Sequence, residues 1–315
     1  MNAPAAVLAR GLSRRFGDFV AVDALDLDIA RGEVMGFLGP NGAGKSTTMR
    51  LLCGLLSPSG GSATVAGFDV AAQAQQVREH IGYMSQRFSL YADLTVRENL
   101  RFFAGIYRVP RAEQAARIEA ALSMADLRGH GDDRVEHLAG GWKQRLALGC
   151  AILHRPPVLF LDEPTSGVEP AARRRFWDLI HDLAGEGVTV LVSTHYMDEA
   201  EYCHRIALID RGRLVACGSP GELRARGLGG QLWSLGCDAP ARAVQLLRGA
   251  PGVLDASMFG DRLHLLLDAA GPGMEPLLGR LAAAGLGAEA PRRIEPSLED
   301  VFVHLVNAER GKATP

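Results

Sequence analysis

The apolar run Val34, Met35, Gly36, Phe37 and Leu38 passes directly into Gly39, Pro40, Asn41, Gly42, Ala43, Gly44, Lys45 and Ser46, and Thr47 to Leu56 continues with helical texture. The stretch from Gly39 to Ser46 fits G-x-x-x-x-G-K-[ST], a pattern that carries meaning only between a buried strand and a helix. Strand, glycine loop and helix together point to an α/β core. Glycines let consecutive backbone N–H groups turn inward around an anion, and the helix N-terminus adds its positive dipole end there. Lys45 would reach the β- and γ-phosphates, and the Ser46 hydroxyl would ligate Mg²⁺. A ligand-free glycine turn would leave Lys45 and Ser46 without a packing purpose. The loop alone leaves kinases, GTPases and motors open.

A chain of 315 residues, 47% hydrophobic and 22% charged, has the length of about two globular domains with real cores. Its net charge of −2 argues against a nucleic-acid partner, since that binding depends on clustered Lys and Arg. The run Arg173, Arg174, Arg175 reads as the solvated face of a helix. Cys53, Cys150, Cys203, Cys217 and Cys237 are scattered without C-x-x-C spacing, as suits reduced thiols and no metal or disulfide framework. Arg10, Arg14 and Arg15 interrupt the N-terminus before any signal-like apolar core, so a cytoplasmic location is expected. No run approaches the roughly 18 apolar residues of a membrane span, so any membrane role must come through a partner.

Val7 to Ala30 alternates apolar and polar residues like half-buried antiparallel strands. Phe16 lies here; on the residues alone it is a core phenylalanine, although an aromatic beside a nucleotide site can stack on a base. Ile81 to Met84 reads as a strand ending at Ser85 and Gln86. An amide at such a strand end can approach a metal or water, and more commonly is an exposed loop group. Residues 88–150 then turn helical, with Thr95 and Glu98 at capping-box spacing and Pro110 between two helices, and read as an inserted subdomain. The insert closes with Leu138, Ala139, Gly140, Gly141 and Trp142 ahead of an apolar helix, a second anion-seeking start or a packing turn. Val158 to Leu161 is a fully apolar strand delivering Asp162 and Glu163, the first suited to Mg²⁺ and the second to activating water. Val188 to Ser193 is another, delivering Thr194 and His195.

Taken in this order, the residues resemble the nucleotide-binding subunit of ATP-binding-cassette (ABC) transporters over about residues 5–225. Gly39 to Ser46 with Thr47 looks like the Walker A loop, Gln86 the Q-loop, Leu138 to Trp142 the signature motif, and Val158 to Asp162 the Walker B strand. Glu163 resembles the catalytic glutamate, Ser166 to Glu169 the D-loop and His195 the switch histidine. Phe16 falls at the adenine-stacking position. The resemblance implies a P-loop ABC ATPase fold of RecA-like core, antiparallel β subdomain and inserted helical subdomain over 1–225, with ATP and Mg²⁺ as ligands and Gln86 joining Ser46 and Asp162 near the metal. It also implies a head-to-tail homodimer closing on ATP, and membrane permease subunits contacted through Arg87 to Asp93 at the inner face of the cell membrane. Ala139, Trp142 and Glu169 depart from the common serine, glutamine and aspartate. Losing the serine hydroxyl is expected to weaken closure by ~1.5–3 kcal/mol while leaving ATPase activity.

Beyond a capping box at Ser219 to Glu222 and the glycines Gly227, Gly229 and Gly230, residues 230–310 read as a small α+β accessory domain of βαββα order. Pro296 to Phe302 resembles the tail of drug-resistance and polysaccharide-type exporter ATPases, which favours export of a drug-like or other amphipathic molecule. Two rivals stand beside this: a soluble ABC ATPase acting on ribosomes or DNA, which usually carries two cassettes or a long coiled coil, and a nucleotide-sensing subunit with weakened hydrolysis.

Overall fold

Period-two alternation at the start of the chain builds β1 (Val7–Phe16) and β2 (Phe19–Ile29), paired antiparallel from Val7↔Ile29 to Phe16↔Phe19. Their inward side chains, among them Leu12, Val22 and Ile29, join one core, while alternate positions face solvent. β3 (Val34–Leu38) is buried along its whole length, and α1 (Lys45–Leu52) follows the glycine loop. The helix starts at Lys45 rather than Thr47 because Gly44 takes a left-handed φ of 103°. The chain therefore turns into the helix with no intervening residue. In a computed structural model, residues 5–86, 89–225 and 228–312 are described.

β4 (Gly60–Val65) and β5 (Phe68–Asp69) complete an antiparallel sheet in the order β2-β1-β4-β5. α2 (Ala74–Glu79), a short helix burying only Val77, is not legible in the sequence pattern; β6 (Ile81–Met84) follows it. The helical insert comprises α3 (Val96–Ile106), α4 (Arg111–Met124) and α5 (Gly140–Ile152) around Leu100, Ile118, Leu122, Leu146 and Cys150. The predicted capping box is formed: Thr95 Oγ1 accepts from the Glu98 amide, and Glu98 accepts from the Thr95 amide. Arg87 and Phe88, the start of the expected permease contact, lie outside the described residues.

The remaining elements of this unit are β7 (Val158–Asp162), α6 (Pro170–Gly185), β8 (Thr189–Thr194), β9 (Arg205–Asp210) and β10 (Arg213–Gly218). They form a six-stranded sheet of order β10-β9-β3-β8-β7-β6. β6, β7, β8, β3 and β9 all run parallel, which explains their near-continuous apolar sequences: a parallel sheet is covered on both faces. The register brings Leu38 beside Thr194, Asp162 beside Ser193 and Met84 beside Leu161. The carboxyl ends of β6, β7, β8 and β3 thus open along one edge, where α/β folds place ligands.

A second compact unit spans Gly218–Pro315, against Met1–Cys217 for the first. The division falls ahead of the glycines at 227–230 because α7 (Pro220–Ala225), closed by the Ser219–Glu222 box, packs with the second unit. Gly227 is outside the described residues. The unit continues through β11 (Gln231–Gly236), α8 (Pro240–Leu247), β12 (Val253–Phe259), β13 (Arg262–Leu267) and α9 (Glu275–Ala283). Beyond the expected βαββα order it adds β14 (Arg292–Arg293) and α10 (Leu298–Lys312). Val301 and Leu305 of α10 pack on Leu228, Leu232 and Leu266.

Candidate functional site

The glycine loop at the end of β3 holds a backbone that side chains would obstruct. A Cβ on Gly39 would lie 2.2 Å from Ile209 O, and one on Gly44 2.5 Å from Ala21 O. Lys45 is buried, and its ammonium donates to Gly39 O at 2.8 Å and Pro40 O at 3.1 Å. Pro40, Asn41 and Gly42 are exposed, Ala43 is buried and Thr47 half-buried. α1 begins with no side chain capping its first amides, so the donors at this end are not satisfied by the chain's own side chains.

Beside it, β7 delivers a buried carboxylate. Asp162 Oδ1 accepts from the Ser46 hydroxyl at 3.1 Å and from the Ser193 hydroxyl at 2.6 Å. Nothing in the sequence singles out Ser193, because one serine inside the run Val188 to Ser193 looks like part of a buried strand. Its hydroxyl also accepts from the Glu163 amide at 3.0 Å, so it sets the relative placement of both acids. Tyr83 of β6 lies in this neighbourhood: burial first, and the Asp162 charge second, push its hydroxyl up to about 12, and it remains protonated.

Glu163 is the meeting point. It has a φ of 48°, a left-handed conformation that costs a non-glycine residue about 1–3 kcal/mol. That turn aims the side chain away from Asp162 and toward three neighbours. Gln86 Nε2 donates to its Oε2 at 3.0 Å, Lys45 Nζ lies 3.5 Å from its Oε1, and His195 Nδ1 lies 3.4 Å from its Oε2. Glu163 is 8% exposed and His195 33%. The loop after Glu163 is held from below by the buried Gln144, which donates to Pro164 O at 2.6 Å. Four strand ends therefore bring Lys45, Ser46, Gln86, Asp162, Glu163 and His195 into one network.

Phe16 is 45% exposed, with the Arg14 guanidinium over its ring 4.6 Å from the centre; it is not a core residue. The Leu138 to Trp142 stretch is the start of α5. Leu138 is buried, Ala139 and Gly140 are exposed, and Ala139 caps the helix with no side-chain hydrogen bond. Ala139, Gly140, Gly141 and Trp142 line a cleft of about 370 Å³ together with Gly167 and Glu169. Trp142 packs its ring 4.2 Å from that of His130.

Comparison with known proteins agrees with this geometry. The family described as ABC transporter matches residues 22–166. The daunorubicin resistance ATP-binding protein DrrA3 of Streptomyces coeruleorubidus is 38% identical over 315 residues, covering 98% of each chain. The chain belongs to the ABC transporter family. The Nod factor export ATP-binding protein I of Cupriavidus pinatubonensis is 36% identical over 95% of this chain and 90% of its own. The probable multidrug ABC transporter ATP-binding protein YbhF of Escherichia coli is 50% identical over 69% of this chain, and the match spans only 38% of YbhF. Among solved structures, an ATP-binding subunit of an ABC transporter superposes with a TM-score of 0.64 at 29% identity, covering 70% of this chain and 92% of its own. A dimeric ATP-binding cassette in a post-hydrolysis state with ADP and Pi gives 0.61 at 26%, covering 68% and 98%.

These matches establish the P-loop ABC ATPase fold for the first unit. Among the described residues no helix of this ABC subunit is long and apolar enough to cross a membrane.

Proposed function

We propose that this chain hydrolyses ATP to drive export of a drug-like or other amphipathic molecule through membrane subunits carried by other chains. The observation that carries the reading is the position of Glu163, on a strained backbone between Gln86, His195 and Lys45. A carboxylate so held can orient a water and accept its proton. His195, with its ring beside Glu163, is suited to sensing the γ-phosphate. Lys45 and the amides of the 39–46 loop would grip the phosphates, and Phe16 would stack on the adenine.

The donor set fits Mg²⁺: the Ser46 hydroxyl and the Asp162 carboxylate are hard oxygen ligands 3.1 Å apart. Ser46 and Asp162 would hold the ion with Gln86 nearby. When bound, Mg²⁺ supplies neutralisation of charge on the β- and γ-phosphate oxygens.

Two copies would work as a pair, the Ala139–Gly140–Gly141 helix start of one completing the phosphate site of the other; the dimeric post-hydrolysis relative supports this arrangement. Attachment to permease subunits would bring the chain to the inner face of the membrane. A structural relative, cbiO1 of Clostridium perfringens, is part of the ABC transporter complex cbiONQ, and this supports a multi-subunit assembly.

The decisive test is Glu163→Gln. It is expected to retain ATP binding while phosphate release falls about 10²–10⁴-fold, the range of a lost general base. Unchanged turnover would remove Glu163 from the reaction.

A further inference from the structure

The arginine run of α6 is not uniformly solvated. Arg174 and Arg175 are exposed, but the side chain of Arg173 is only 18% exposed. Its guanidinium lies 4.3 Å from the centre of the Tyr196 ring. Its Nη1 is 3.3 Å from Asp198 Oδ2, and its Nε is 3.5 Å from Glu199 Oε1. Glu199 is fully buried, and among the described residues neither carboxylate oxygen has a hydrogen-bond partner. A buried carboxylate in that condition depends on the countercharge beside it, and Arg173 supplies it.

The segment Arg173 grips is the one that carries His195. The Tyr196 amide donates to Thr194 Oγ1 at 3.0 Å, and the Tyr196 and His195 rings are 4.1 Å apart. Among the described residues His195 Nδ1 makes no hydrogen bond, so its 3.4 Å approach to Glu163 Oε2 depends on the packing of the segment that carries it. On its other side, the Arg173 amide donates to Glu169 O at 2.9 Å, one helical turn from the 166–169 loop. A continuous chain of contacts thus runs from that loop through Arg173 and Tyr196 to His195 and Glu163.

We propose that Arg173 is a positioning residue for His195, holding the 195–199 segment through the Tyr196 face and the buried Glu199 carboxylate so that the imidazole stays against Glu163. The inference rests on the reading of Glu163 and His195 as working groups in hydrolysis. It differs from simple charge neutralisation in one respect: the Tyr196 contact should matter even when Glu199 carries no charge. A planar guanidinium can stack on an aromatic face in a way that an apolar side chain cannot replace.

The experiment compares the full chain with Glu199→Gln and with the double variant Arg173→Met, Glu199→Gln. Removing the buried charge first keeps the double variant from unfolding through a stranded carboxylate. Relative to Glu199→Gln, the double variant is expected to lose about tenfold in kcat for phosphate release, with KM for ATP within about twofold, the signature of a misplaced group rather than lost binding. The ¹⁵N imidazole signals of His195, assigned with His195→Ala, are expected to shift or broaden in the double variant only. Equal kcat and unchanged His195 signals in the two variants would reduce Arg173 to a countercharge and overturn the proposal. If His195→Ala itself hydrolyses ATP normally, the hydrolytic reading of His195 fails; the imidazole signals alone then decide whether Arg173 orients the ring, unchanged signals again overturning it.

Discussion

Two helix starts in this chain solve the same problem in opposite ways. At α10 the side chains satisfy the backbone: Ser297 Oγ accepts from the Asp300 amide at 3.2 Å, and Asp300 Oδ2 accepts from the Ser297 amide at 2.9 Å and hydroxyl at 2.6 Å. The other carboxylate oxygen meets His264 Nδ1 at 2.6 Å, and Phe259 stacks on that ring at 4.4 Å. At α5 the cap is Ala139, with no acceptor to offer, followed by two glycines; α1 starts likewise on Gly44. A helix end closed by its own chain contributes to the fold. One left open beside glycines keeps donors for an anion. The buried groups divide in the same way, with His264 and Asp300 paired at close range and Glu163 sharing longer contacts on a strained backbone. Substitutions should therefore separate the two regions, costing ligand and turnover at one and stability at the other.

The largest separation is expected from Lys45→Ala. Its ammonium contributes charged hydrogen bonds of about 1.5–3 kcal/mol, so affinity for MgATP should fall roughly 10- to 100-fold by calorimetric titration. Hydrogen exchange in the second unit should not change. Unchanged ATP affinity together with a clearly lowered melting temperature would place Lys45 with the structural pairs and break the contrast.

Asp300→Asn is the reciprocal change. Burial raises the Asp300 carboxyl, but the His264 and Ser297 hydrogen bonds outweigh it and hold the group below its ordinary value. A lowered carboxylate contributes stability that is fully present above its unfolded value, about 3.9; it is lost as pH falls through the lower, folded one. The expected result is faster hydrogen exchange in β13 and α10 at neutral pH, corresponding to about 1–3 kcal/mol, with ATP affinity unchanged. The wild type should converge on the variant as the pH is taken down through the carboxylate range. An unaltered exchange profile would mean that the close pair contributes nothing to the fold.

What could be read before the structure follows from range in the sequence. The 39–46 loop, the acids at Asp162 and Glu163, and His195 are legible because each follows an apolar strand and a parallel sheet must put those ends together. The Ser193 bridge is not, since a buried serine has no periodic signature and its role depends on the Asp162↔Ser193 register. Arg173 was hidden by its neighbours: in a run of three arginines, pattern alone does not say which one turns inward. α10 is not legible either, because its apolar positions Val301 and Leu305 become a face only against Leu232 of β11 and Leu266 of β13. Phe16 is the opposite case: strand alternation alone reads it as core, whereas it lies at the exposed end of the β1–β2 hairpin, and only the family resemblance points to a stacking role.

The smallest and sharpest test is Ala139→Ser, which gives α5 the kind of cap that α10 already has. A serine at this position is worth about 0.5–2 kcal/mol to a helix when its oxygen accepts from the first-turn amides. If the open start exists to meet phosphate in a second copy, the new hydroxyl should instead be shared with that ligand. Dimerisation of the Glu163→Gln chain with MgATP, followed by light scattering, should then tighten by up to about 10-fold, within the ~1.5–3 kcal/mol of a charged hydrogen bond less the cap it gives up. The melting temperature without nucleotide should rise only slightly. A clear rise in melting temperature with no gain in ATP-dependent association would show that the α5 start is an ordinary helix end that lacks its cap, and the contrast with α10 would carry no functional meaning.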